Sequence, residues 1–141
     1  MKIYIGSDHA GFDLKERIKM LFEGKFEIVD VGTDSSESVD YPDFAHPVAE
    51  GVLKETDGVG VLICGTGNGM AMTANKHAGI RAALCWSPEI AALAKQHNNA
   101  NILVLPARFI SYETAVETVN AFFNAVFEGG RHQRRIEKIN L

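Results

Sequence analysis

Residues Gly60 to Met70 read Gly-Val-Leu-Ile-Cys-Gly-Thr-Gly-Asn-Gly-Met, and few folds accommodate such a run. It opens as a short apolar stretch, the pattern of a strand buried on both faces of a parallel sheet. It ends in Gly65, Gly67 and Gly69, spaced two apart, and Met70 to Lys76 then offers good helix formers. The order is strand, tight glycine loop, helix. Such a loop aims several backbone N–H groups at one point, together with the positive end of a helix dipole, and an anion belongs there. Cys64 is the last strand residue and faces that point, where a thiol ionises more readily. One turn thus offers a candidate base or nucleophile beside a candidate oxyanion hole. The spacing G-x-G-x-G, away from the first strand, does not match a dinucleotide-binding fingerprint.

The rest of the chain repeats the same grammar. Apolar runs at Lys2–Ile5, Phe26–Val31, Ile80–Cys85 and Asn101–Leu105 predict four more strands. Between them lie helical patterns. The first carries Leu14, Ile18, Leu21 and Phe22 and closes at Gly24; the second starts at Pro42 and runs to about Glu55, with Pro47 able to kink it. Ser87-Pro88 opens a helix ending near Gln96–Asn99, and Ser111 caps a long one with Ala115, Val119, Phe122, Phe123, Val126 and Phe127 on one face. Glu128-Gly129-Gly130 ends it, and Arg131 to Glu137 forms a short basic helical tail. Strand–helix alternation predicts an α/β, Rossmann-like three-layer sandwich: a five-stranded parallel sheet, helices on both faces and a C-terminal helical tail. Ligands of open parallel sheets bind outside the carboxyl ends of the strands. Asp8, His9, Cys64, Thr66 and Arg108 all follow strand ends.

Composition bounds the function. The 141 residues suffice for one domain over 1–141; 46% are hydrophobic and 23% charged, and the net charge is -4 at pH 7. No overall basic footprint for nucleic acid exists. Two cysteines, Cys64 and Cys85, without a C-x-x-C, fit a reducing cytoplasm and speak against a disulfide framework or a metal site. The chain enters a strand at once, so no signal peptide and no membrane segment is expected.

Each remaining candidate has a plain structural alternative. An Asp after a strand is commonly an N-cap, and a single His is commonly structural, so Asp8 and His9 are ambiguous alone. His97 ends a helix, where the dipole favours a protonated ring. Arg131 and Arg135 lie four apart and share a helix face, which suits a phosphate or simply a solvated tail.

Taken together, Asp8-His9-Ala10-Gly11, Asp40-Tyr41-Pro42, Cys64-Gly65-Thr66-Gly67-Asn68-Gly69, Ala74-Asn75-Lys76, Gly79-Ile80-Arg81-Ala82, Gln96-His97-Asn98 and Gly129-Gly130-Arg131-His132-Gln133 resemble the type B ribose-5-phosphate isomerases. That family includes the galactose-6-phosphate isomerase subunits, and the resemblance covers nearly the whole chain. It implies a sugar-phosphate isomerase domain that uses no metal and no cofactor. Its reaction would interconvert D-ribose 5-phosphate and D-ribulose 5-phosphate, a step of the pentose phosphate pathway. By the family pattern Cys64 is the base of an enediolate mechanism. Thr66 and the N–H groups from Gly65, Gly67, Asn68 and Gly69 stabilise the enediolate. His97, with Asp8, opens the ring. His9, Arg108, Arg131 and Arg135 hold the phosphate, and Tyr41 and Asn98 contact the sugar. The family forms homodimers with sites at the interface, and in some members tetramers; neither nucleic acid nor membrane is an expected partner. A six-carbon sugar phosphate, allose or galactose 6-phosphate, is the alternative substrate, and a non-catalytic sugar-phosphate module the alternative class. One subgroup has a Glu after the third glycine as base; here Met70 stands there. Pro106 replaces a small residue of many members, just before Arg108.

Overall fold

The computed structural model describes residues 1–141. Five parallel strands form one sheet in the order β2-β1-β3-β5-β4, where β1 is Lys2–Ser7, β2 Glu27–Asp30, β3 Val59–Cys64, β4 Ala82–Leu84 and β5 Ile102–Pro106. Helices α1 (Phe12–Phe22), α2 (Pro42–Lys54), α3 (Asn68–Ala74), α4 (Pro88–Asn98), α5 (Tyr112–Asn124) and α6 (Arg131–Glu137) complete it. The three central strands are almost wholly buried, as their unbroken apolar runs require.

Alternation along β3 divides the interior. Val59, Val61 and Ile63 face one layer with Ile18, Phe22, Ala91, Val119 and Phe122, from α1, α4 and α5. Leu62 and Cys64 face the other, with Val48 and Val52 of α2 and Met70 and Ala74 of α3. Met70 is therefore a fully buried anchor of α3. It seats the glycine loop by packing and offers no acid–base group.

Several boundaries move from their sequence expectations for identifiable reasons. β4 keeps only three of the six residues from Ile80 to Cys85. Side chains replace its ladder at the edge: Asn75 accepts from the Ala82 N–H at 2.8 Å and donates to the Ala82 carbonyl at 3.0 Å. Asn101 Oδ1 accepts from the Arg81 N–H. An amide side chain lying along an edge strand blocks pairing with another strand. α3 starts at Asn68, so the third glycine lies inside the helix. α2 runs through Pro47 without stopping. α5 ends at Asn124, leaving Val126 and Phe127 outside it and Val126 exposed. Phe122 and Phe123 join Phe22 and Phe26 in a ring cluster with paired centroids 5.1–5.9 Å apart.

One buried charge ties α1 to β2. The Lys15 side chain is 1% exposed, and its ammonium lies 2.7 Å from Asp30 Oδ2, which Lys19 also reaches at 2.7 Å. Burial alone would raise the Asp30 pKa; the two ammoniums and the Gly32 N–H outweigh it and hold the carboxyl below its ordinary value. Asp30→Asn strands the Lys15 charge. Unfolding free energy should fall by roughly 2 kcal/mol, under the figure for a fully buried pair because Asp30 keeps some solvent contact. Lys15→Met should cost far less. Because the folded pKa is the lower one, this stabilisation is complete above the ordinary carboxylate pKa and disappears as pH falls through the folded value. Denaturant midpoints between pH 7 and pH 2 should therefore drop more steeply for wild type than for Asp30→Asn.

Candidate active site

The carboxyl ends of β1, β3 and β5 are laced together by backbone bonds. The Asp8 N–H donates to the Ile63 carbonyl, the Ala107 N–H to that of Cys64 and the Arg108 N–H to that of Gly65, at 3.2, 2.9 and 3.0 Å. Pro106 pairs with Cys64 in the last register position of β5. Its missing N–H does not disturb Arg108, whose guanidinium lies over the Gly65 backbone: a Cβ on Gly65 would come 3.3 Å from Nη1. Gly67 takes a left-handed φ of +79°, which turns the chain from strand into helix.

At this turn the Gly67 N–H donates to Cys64 Sγ at 3.2 Å. Cys64 is 5% exposed. Cys85 has a different setting: it is buried in the opposite layer, and burial pushes its thiol up to about 12. The Asn68 N–H donates to Thr66 Oγ1 at 3.2 Å, leaving the Thr66 hydroxyl free to donate outward, and the Thr66 side chain is exposed. The loop is thus not a uniform array of free donors, as the sequence suggested. Gly67 supports the sulfur and Asn68 orients Thr66.

Other candidates gather round this turn. The ring of Tyr41 lies against Gly69, where any Cβ would overlap it. Asp8 is 7% exposed, and its Oδ1 accepts from the Gly11 N–H at 3.1 Å, so the carboxylate shapes the first βα turn while keeping a second oxygen. His9 Nδ1 accepts from the Val39 N–H at 3.2 Å, which ties down the 33–41 loop. That assigns the ring proton of neutral His9 to Nε2, aimed away from the bond. Ser7, overlooked in the sequence, ends β1 with a fully buried hydroxyl that has no hydrogen-bond partner.

His97, Asn98, Arg131 and Arg135 are not part of this cluster. α4 runs antiparallel to the strands, so its last residues lie where the strands begin. Arg81, just before β4, donates to the carbonyls of Asn98 and Asn99 there. β3 is six residues long, about 17 Å at ~3.3 Å per residue, and that length separates Cys64 from the level of His97. At this second end α6 packs on α4, and His97, Asn98, His132, Arg135, Ile136 and Ile139 line an open cavity of about 400 Å³. The His97 and His132 rings stack with centroids 4.3 Å apart, and the Nε2 atom of each lies 3.6 Å from Glu128 Oε1. No helix is long and apolar enough to cross a membrane.

The chain matches the model of the family described as Ribose/Galactose Isomerase over residues 3–139. It is 49% identical over 140 residues to the ribose-5-phosphate isomerase B of Escherichia coli K12, covering 98% of this chain and 93% of that one. A crystal structure of a ribose 5-phosphate isomerase from Thermotoga maritima superposes with a TM-score of 0.94 at 55% identity, covering 99% of this chain and 97% of that one. The ribose-5-phosphate isomerase B of Mycoplasma genitalium, solved with bound ribulose-5-phosphate, superposes with a TM-score of 0.94 at 50% identity and covers 98% and 93%. With the family model matched over residues 3–139 and relatives at about 50% identity covering nearly the whole chain, the chain belongs to the ribose/galactose isomerase family.

Proposed function

We propose that this chain, acting as one domain over residues 1–141, is an aldose–ketose isomerase of D-ribose 5-phosphate and D-ribulose 5-phosphate. The observation that carries the reading is Cys64 at the strand end, its sulfur held by the Gly67 N–H beside Thr66 and Arg108. Relatives named for this activity match it over 93% of their length.

In this reading Cys64 removes the proton from C2 of the open-chain aldose and returns it to C1. Between these steps the substrate is an enediolate; the hydroxyl proton passes from O2 to O1, and charge develops on both oxygens. The Thr66 hydroxyl and those loop N–H groups that neither Cys64 nor Thr66 occupies stabilise that charge in this reading; donors fixed in advance do so without reorganising. The chemistry requires an open chain. Opening the furanose breaks the bond from C1 to the ring oxygen and forms the C1 carbonyl. One proton leaves the C1 hydroxyl and one reaches the ring oxygen, and His97 carries one of these transfers with Asp8 as its counterpart. Tyr41 and Asn98 flank the sugar. His9, Arg108, Arg131 and Arg135 hold the phosphate, whose remote binding energy orients the reacting carbons.

These roles need His97 and Cys64 within one sugar's reach, while a single chain holds them a sheet's length apart. We therefore propose a homodimer in which the His97 end of one chain closes over the glycine loop of the other, two sites per dimer. The assay that tests the function compares ribose 5-phosphate with allose and galactose 6-phosphates. Turnover of the pentose phosphate by tenfold or more over both hexose phosphates is expected, and no turnover of any of the three rejects the isomerase.

Arg131→Ala and Arg135→Ala should each weaken inhibition by inorganic phosphate and raise KM for ribose 5-phosphate, with less effect on kcat. Each charge-assisted contact is worth roughly 1.5–3 kcal/mol, or about ten- to a hundredfold in affinity. Unchanged phosphate inhibition in both variants would return α6 to the role of a solvated tail.

A further inference from the structure

His132 and Glu128 have no part in the mechanism above, yet both converge on His97. His132 is 8% exposed and is one of only two buried residues in α6. Its ring lies nearly parallel to that of His97, at 10° and 4.3 Å. Glu128 presents the same oxygen, Oε1, to both Nε2 atoms at 3.6 Å. The segment carrying Glu128 is itself fastened to α4: the Glu128 N–H donates to the Gln96 carbonyl at 3.0 Å, one residue before His97. The N–H of His132 donates to the Gly129 carbonyl at 3.2 Å, at the start of α6. Gly129 and Gly130 take φ of +69° and +58°, and the sharp turn they make brings Glu128 and His132 back onto one helix end.

Two stacked imidazoles beside one carboxylate accommodate one positive charge comfortably and two poorly. The charged groups facing the pair are Glu128 from the 125–130 connection and Arg131 and Arg135 from α6. Burial, the neighbouring His97 and Arg131 push the His132 pKa below the ordinary histidine value, against the pull of Glu128. The three donor atoms lie within 4.8 Å of one another, a spread that a metal could span. The guanidiniums of Arg131 and Arg135 stand nearby, however, and disfavour a cation there.

We propose that His132 and Glu128 are positioning residues for His97: a flat ring that stacks on the catalytic imidazole, and a carboxylate that faces both Nε2 atoms, together fixing where His97 points. This rests on the reading of His97 as the ring-opening residue, and the experiment separates the two.

Carbon-resolved NMR of the imidazole Cε1–H signals follows each ring in the folded enzyme. The His132 signal should titrate below the usual histidine range. His97→Asn should move it upward and Glu128→Gln downward, because His97 lowers and Glu128 raises the His132 pKa. His132 insensitive to His97→Asn would overturn the coupling of the two rings, whatever the enzyme's substrate proves to be. In kinetics, Glu128→Gln should lower kcat on ribose 5-phosphate with KM nearly unchanged. His132→Ala should lower kcat on ribose 5-phosphate roughly 10–100-fold with KM within about twofold, as misplacement of a catalytic group does. His132→Phe, which keeps a flat ring to stack on, should recover most of that loss. Equal activity of His132→Ala and His132→Phe, with both folded by circular dichroism, would overturn the positioning role. Because Glu128 is exposed, its variant tests the proposal even if both His132 variants unfold.

Discussion

Cys64→Ala should abolish isomerisation while sugar-phosphate binding persists. Removal of a general base typically lowers the rate about 10²–10⁴-fold, and more where nothing takes its place. Nothing does here. The residue after the third glycine is Met70, fully buried on the inner face of α3, and Cys85 lies in the other layer with its thiol pushed up to about 12. Cys64→Ser sharpens the test. The hydroxyl nearly matches the thiol in size and can still accept the Gly67 N–H, so the loop keeps its shape. A hydroxyl is far less acidic than a thiol, and kcat should collapse while KM and the affinity for inorganic phosphate stay within a fewfold. Turnover near the wild-type rate in either variant would remove Cys64 from the mechanism. Loss of phosphate binding along with activity would show a distorted loop in place of a missing base.

Activity should return when two dead enzymes are mixed. Chains carrying Cys64→Ala and chains carrying His97→Asn are unfolded together and refolded. In a two-fold dimer each subunit donates the same parts. If the glycine loop of one chain works with His97 of the other, a mixed dimer has one site with both lesions and one with none. Random pairing makes half the dimers mixed, so roughly a quarter of wild-type activity should appear. If both residues of a site belonged to one chain, every site would keep a lesion and no activity would return. The observation behind this prediction is that β3 and α4 run antiparallel, holding Cys64 and His97 at opposite ends of the sheet. Mass spectrometry must first confirm that mixed dimers form. With them present, an inactive mixture would reject the shared site while leaving the isomerase reading untouched.

The local grammar of this protein was legible in its sequence because it depends on neighbours. Five apolar runs ending at glycine or polar turns mark five parallel strands, since a strand buried on both faces needs no alternation. The glycine loop after Cys64 was identifiable from spacing alone, as was the αα connection through Gly129 and Gly130. Long-range pairing is not written in any one segment. That β5 inserts between β3 and β4 follows from how the finished layers pack, and it leaves β4 at the edge, where Asn75 and Asn101 shorten it. Nor does the sequence show that Phe22 and Phe26, about a hundred residues earlier, pack on Phe123 beside Phe122. The division of the candidate site was equally invisible. Sequence can list Cys64, Thr66, His97 and Arg131 as chemistry, but only the direction in which each element crosses the sheet decides which end it reaches. The same packing stacks His132 on His97: 35 residues separate them in the chain, and only the docking of α6 on α4 brings the two rings within 4.3 Å.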